Sequence, residues 1–471
     1  MKKLEKSEEA TQYPVKVIQF GEGNFLRAFV DWIIDILNEK GGFNGSIAIV
    51  QPLPQGLTSI LTEQDGLYHH FRQGLENGET VDEARLIQCV SKAINPFENI
   101  DAYFGLAEET SVEFIFSNTT EAGIVFDEND KPATEALAST FPGKLTQLLH
   151  HRFKHFNGDV DKGVSIVPCE LIEQNGTKLK ASIEQYIELW YLETEFGDWI
   201  NNACAFANTL VDRIVPGYPK DEIEAIKERI GYDDKLVVKS EAFHLFVIQA
   251  PEKVKQAFPA HKYGLNVKYV DDITPYRTQK VRILNGAHTS MVPIGLLYGL
   301  ETVSETINNE ETGKIVRSII FDEIVSTIHI PGEDPKDFAE QVIARFQNPF
   351  IRHELITISL NSISKFKVRV LPTFLDYVNT KGVLPARLTF SLACLMEMYL
   401  CGKFELKDNA EYLKFFDQLK TEPLESIVNQ VLGNMDFWGQ DLNKIEGLKG
   451  QVVSHIEAIR NKTMTEAIAA I

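Results

Sequence analysis

A chain of 471 residues, 44% hydrophobic and 24% charged, is too long for one ordinary core and has the composition of a folded protein of two or three domains. Its formal net charge of -20 argues against a nucleic-acid partner, which would need a basic face for phosphates. Five scattered cysteines without a CxxC pair, a charged N-terminus lacking a signal-peptide core and no apolar run near ~18 residues point to a cytoplasmic protein with no membrane span.

In chain order, Val15–Phe20 reads as a buried strand running into Gly21-Glu22-Gly23-Asn24-Phe25-Leu26-Arg27. Leu26, Phe29, Val30, Ile33, Ile34 and Leu37 then recur at helical spacing, Gly41-Gly42 stops the helix, and Ser46–Val50 is the next strand. Strand, glycine turn, helix, strand is the opening of a dinucleotide-binding unit: glycines let the backbone approach a pyrophosphate, and N–H groups at the helix start receive it. The turn is GxG with Leu26 in the third glycine position, and Gln51-Pro52 stands where an acid for the adenosine ribose is usual. Residues 51–56 contain no Arg or Lys to receive a 2′-phosphate, which favours NAD(H) over NADP(H).

A strand at 113–116 leads into Ser117-Asn118-Thr119-Thr120-Glu121, small polar residues at a strand's carboxyl end, where open α/β sheets bind ligands. The helix expected at 141–156 carries His150, His151 and His155, read as a solvated face and not as metal ligands, since no HExxH or carboxylate accompanies them. A strand at 164–167 ends in Pro168-Cys169-Glu170-Leu171, followed by Asn175-Gly176. The apolar stretch 206–217 contains Asp212-Arg213, and 235–239 and 244–248 are strand-like.

Near residues 271–275 the pattern changes to long helices, expected at 315–330, 335–347, 385–401, 409–420, 423–433 and 443–460. Between them, 364–372 alternates like a strand or extended crossover, with Lys365 and Lys367 read as a solvated edge and Arg369 better placed for function. The fold class is therefore α/β: a Rossmann-like dinucleotide-binding domain over 1–270 and a mainly helical substrate and catalytic domain over 271–471.

At the entrance to the second domain stand Lys280, Asn285 and His288. At about 100° per residue on an α-helix, Asn285 lies ~140° and His288 ~80° around from Lys280, one broad face. An amine that gives or takes a proton, an amide that donates to an oxygen and an imidazole that orients either can move a proton on and off a carbonyl. A lysine used as a base near neutral pH needs burial or cationic neighbours, and Arg277 and Arg282 are the neighbours in sequence.

Lys-x4-Asn-x2-His resembles the signature of the mannitol dehydrogenase family of polyol and sugar-acid dehydrogenases. Similar too are the turn at Gly21, Gly23, Asn24, Phe25 and Arg27, the Asn118-Thr119-Thr120-Glu121 run, Cys169 with Asn175-Gly176, and Val211-Asp212-Arg213-Ile214. The resemblance implies a metal-free, NAD-dependent oxidoreductase with Lys280, Asn285 and His288 as catalytic residues. It implies coenzyme contacts at the glycine turn and at Thr119, Thr120 and Glu121. It implies substrate contacts at Asp212 and Arg369, and at Asn175 as a substitute for the family asparagine replaced by Leu171. Arg277, where neutral-polyol enzymes show an acid, joins Arg369 as a candidate for a sugar-acid carboxylate. Competing readings are a metal-dependent alcohol dehydrogenase and a non-catalytic NAD-sensing protein; oligomeric state is not implied.

Overall fold

Twelve strands are present in the computed structural model, which describes residues 1–7, 9, 11–76, 78–119 and 123–471. In order they are β1 (Val15–Phe20), β2 (Ser46–Val50), β3 (Tyr68–Glu76), β4 (Glu79–Ile87), β5 (Val90–Ile94) and β6 (Phe114–Ser117). Then follow β7 (Ser165–Pro168), β8 (Ala205–Phe206), β9 (Asn208–Asp212), β10 (Val238–Glu241), β11 (Leu245–Gln249) and β12 (Val267–Tyr269). The chain divides into two compact units, Met1–Gln73 with Thr80–Ile273, and Gly74–Glu79 with Thr274–Ile471.

The first unit is built on a sheet ordered β5-β2-β1-β6-β7-β8, with every neighbouring pair parallel. Counted within this sheet the order is 3-2-1-4-5-6, that of a dinucleotide-binding fold, and it reverses between β1 and β6. β1 and β2 are near-continuous apolar runs because helices cover both faces. Val17, Phe29, Ile33 and Leu37 belong to the core on one face; Ile18, Phe20, Leu145 and Ile183 belong to the core on the other. Two smaller sheets complete the unit, β10-β3-β4 and β12-β11-β9. The long hairpin of β3 and β4 was not expected, and the strands expected at 235–239 and 244–248 lie at β10 and β11, shifted by one to three residues.

The helix expected from Leu26 is broken. Asn24–Arg27 forms one turn, and Val30–Lys40 starts after Ala28 and Phe29. Phe29 N–H bonds back to Leu26 O, a tightened turn that leaves both Arg27 and Phe29 buried.

The second unit is helical apart from the short piece Gly74–Glu79. Its centre is the helix Gly286–Tyr298, buried without interruption from Gly286 to Leu296, packed against Ala386–Leu400, which is buried from Leu388 onward. Helices apolar on all sides are core helices. Ser391 Oγ donates to Ser290 O at 2.9 Å and ties the two together. Buried Glu323 caps Ala386–Leu400, accepting from Arg387 N at 2.9 Å and Leu388 N at 2.8 Å, a carboxylate where a helix start favours one.

Residues 364–372 are not a strand. Ser362–Arg369 and Leu371–Lys381 are helices. The alternation of Lys365, Lys367 and Arg369 misleads, because the buried residues are Ile363, Phe366, Val370 and Phe374, at helical spacing, while Val368 is 60% exposed.

Candidate coenzyme and catalytic sites

In the first unit, Gly21 ends β1 with φ +121°, which only glycine adopts readily, and a Cβ there would stand 3.2 Å from Asn118 O at the end of β6. Gly23 is exposed, and a Cβ on it would meet nothing within 4 Å. The turn therefore leaves an open approach to the backbone at the carboxyl ends of β1 and β6, the shape that a pyrophosphate requires. Asn24 faces Gly217, whose φ is +102° and whose Cβ would lie 3.3 Å from Asn24 Nδ2; Phe25 stacks on Phe29 at 5.1 Å.

Arg27 and Thr119 are placed differently from the expectation that they contact coenzyme. The Arg27 guanidinium is buried and donates to Glu22 O at 3.0 Å, Leu236 O at 2.5 Å and Asn24 Oδ1 at 2.8 Å, lying over the Tyr68 ring. It pins the turn from within. Thr119 directs its N–H and hydroxyl to Glu170 Oε1, both at 3.0 Å, while Ser117 Oγ reaches Glu170 Oε2 at 3.0 Å. Glu170 thus clamps the ends of β6 and β7. Thr120 and Glu121 lie outside the described residues.

Asn175 is also corrected. It is fully buried, its amide Nδ2 donates to Pro168 O, Glu170 O and Thr209 Oγ1, and its Oδ1 accepts from Gly176 N and Thr209 N. An amide satisfied at both ends joins β7 to β9 and leaves no donor for a substrate oxygen. Leu171, its neighbour in the motif, is 56% exposed. Asp212 is buried at the end of β9, opposite Leu245 of β11.

In the second unit, Lys280–Asn285 is a π-helix between the α-helices Thr274–Gln279 and Gly286–Tyr298. The Gly286 N–H bonds to Val281 O, five residues back. In this geometry residues five apart are neighbours on one face, as residues four apart are in an α-helix. The ~140° separation of Lys280 and Asn285 expected for an α-helix is therefore reduced to roughly 50°, on one face. Three further residues, most of an α turn, bring His288 close to the same line.

His288 is buried, its ring 4.3 Å from Phe346 and 5.1 Å from His353. Lys280, Arg277 and Asn285 are half-buried. Arg282 forms an ion pair with Asp376, so its charge is compensated and not directed at Lys280. Gly286 allows the helix Ser362–Arg369 to end against the segment: a Cβ on it would stand 3.0 Å from Arg369 O.

Around Arg369 the structure gathers cations that individual inspection of the sequence passed over. Burial, and then the Arg369 charge, push Lys365 below the ordinary lysine value, partly opposed by Asp408. Burial, and then Lys365, push His353 down. His353 packs on His288 and feels the Lys365 charge, Lys365 in turn feels the Arg369 charge, and the Arg369 backbone carbonyl lies against Gly286. Helical periodicity over 362–374 would have found Lys365; nothing in the sequence pairs it with His353. Among the described residues, no group of three His, Cys, Asp or Glu side chains could hold a metal ion.

The mannitol dehydrogenase Rossmann domain model matches residues 15–262, and the mannitol dehydrogenase C-terminal domain model matches residues 272–460. The chain belongs to the mannitol dehydrogenase family. It is 46% identical to the altronate oxidoreductase of Bacteroides thetaiotaomicron over 98% of this chain and 97% of that one. It is 46% identical to the altronate oxidoreductase of Bacillus subtilis over 99% and 98%. Among solved structures it resembles a substrate-free D-sorbitol dehydrogenase, with TM-score 0.80, 21% identity and coverage of 97% of this chain and 95% of that one. It also resembles Pseudomonas fluorescens mannitol 2-dehydrogenase in complex with NAD and D-mannitol, with TM-score 0.68, 21% identity and coverage of 97% and 94%. Membership of this family makes the chain an oxidoreductase acting on a CH–OH group.

Proposed function

We propose that this enzyme reduces D-tagaturonate to D-altronate with NADH, and runs the reverse reaction with NAD, as a step of hexuronate catabolism. The observation that carries the sugar-acid reading is the succession of basic groups Arg369, Lys365 and His353 leading to His288, in a protein of net charge -20. A guanidinium with an adjoining ammonium matches a carboxylate. The name carried by the relatives supports the same substrate, as do the stretches 168–172, 208–219, 284–289 and 371–377, which resemble tagaturonate reductases.

The first unit would hold NAD(H) through the backbone of Gly21 and Gly23 and through Asn24 and Phe25. When bound, NADH supplies the hydride. Lys280 gives a proton to the carbonyl oxygen during reduction and takes one from the hydroxyl during oxidation. The Asn285 amide donates to the same oxygen as charge develops on it; removing such a donor typically costs about 3 kcal/mol of barrier. His288, held between Phe346 and His353, orients Lys280 or a substrate hydroxyl. Asp212 is the candidate acceptor for another hydroxyl. Arg277, one turn before Lys280, joins Arg369 and Lys365 for the carboxylate.

Oxidation of NADH should be measured with tagaturonate, fructuronate and fructose. Tagaturonate is expected to be preferred, with turnover abolished in Lys280→Ala while NADH binding persists. Arg369→Ala should lose far more activity on the two hexuronates than on fructose. A preference for fructuronate or fructose, or near-normal turnover in Lys280→Ala, would overturn the reading.

A further inference from the structure

In a dinucleotide-binding sheet the adenosine ribose is usually held by an acid at the end of the second strand. Here β2 ends at Val50, and Gln51 follows. Gln51 is 2% exposed and faces inward: Nε2 donates to Leu53 O at 2.8 Å and Pro54 O at 3.1 Å, while Oε1 accepts from Thr58 Oγ1 at 2.8 Å. It shapes the loop and presents nothing outward.

A carboxylate reaches the same loop from the neighbouring strand. Glu22 stands between the two glycines of the turn after β1, which pairs with β2 in the sheet. Its carboxyl lies directly against Gly56, where a side chain would collide with Oε1, and accepts from the backbone N–H of Leu57 and from its own. An ionised carboxylate has about four acceptor sites. Two backbone donors leave acceptor sites on a half-buried group beside the open face of Gly23.

We infer that Glu22 supplies the acid missing from β2, accepting the adenosine ribose hydroxyls of NAD(H) and rejecting a 2′-phosphate by like charge. This rests on the proposed use of NAD(H). Partial burial strengthens both effects, since charge-assisted hydrogen bonds and repulsion weaken with water around them. The selectivity is then written in the glycine turn, and Gly56 is small so that the carboxylate can cross to the β2 loop.

The test is coenzyme binding by the full-length protein, independent of turnover, using fluorescence titration with NADH and NADPH. Wild type is expected to bind NADH much more tightly than NADPH. Glu22→Gln should weaken NADH by about tenfold or more, the loss typical of a hydrogen bond to a charged acceptor, while NADPH is unchanged or gains. Equal losses for both coenzymes would mean that Glu22 only holds the loop, and an unchanged ratio of the two affinities would sink the proposal. Failure of the wild type to bind NADH would remove the coenzyme reading itself. Matching thermal unfolding of the two proteins excludes misfolding as the cause.

Discussion

Asp31, in the helix beneath the glycine turn, is fully buried, and burial lifts its carboxyl from 3.8 to about 7 despite hydrogen bonds from Tyr68 and Gln19. Gln19 Oε1 and Asp31 Oδ1 are buried without a donor, and a proton on Asp31 supplies one. Gln19 Nε2 in turn donates to Gly21 O at 3.1 Å, so the network ends at the turn that the coenzyme would approach. The unfolded chain releases this proton near pH 4 and the folded chain near pH 7. The stabilisation is therefore complete below about pH 4, declines between these values and is gone above them. Asp31→Asn keeps the donor without titrating. Its unfolding temperature relative to wild type should rise steadily from pH 4 to pH 7; a difference independent of pH would show that Asp31 is charged in the fold.

Among the elements, the π-helix and the Ser362–Arg369 helix determine the geometry around Lys280, and sequence reading saw neither. Lys280, Asn285 and His288 were legible as a group because their side-chain chemistry is unusual for a core helix. Their alignment was not, because a π-turn has no compositional mark and periodicity assumes 3.6 residues per turn. Gly286 makes the contact between the two elements testable. Replacing a helical glycine by alanine ordinarily stabilises by about 1 kcal/mol, yet here the methyl would press on the rigid Arg369 carbonyl. Gly286→Ala should instead destabilise by about 1–3 kcal/mol in urea unfolding, as overpacking does, and slow turnover as Arg369 shifts. A stabilised variant with normal kinetics would refute the close approach.

Across the whole molecule, the parallel sheet and the helical second unit were legible from apolar runs and spacing alone. The sequence did not show the partners that hold Arg27, Thr119 and Asn175, since these lie on segments distant in the chain, at Leu236, Glu170 and Thr209. All five cysteines are free, four of them buried. On the proposed role of Lys280, exhaustive EDTA treatment should leave tagaturonate reduction unchanged; a loss restored by zinc would shift the chemistry away from Lys280. The π-turn carries one last consequence. Winding the same residues with ordinary four-residue bonding throughout would give a tidier rod in which Asn285 stands ~140° and His288 ~80° around from Lys280. Lys280 would then point away from its amide companion, so regularising this helix without shortening it is expected to silence the proposed chemistry.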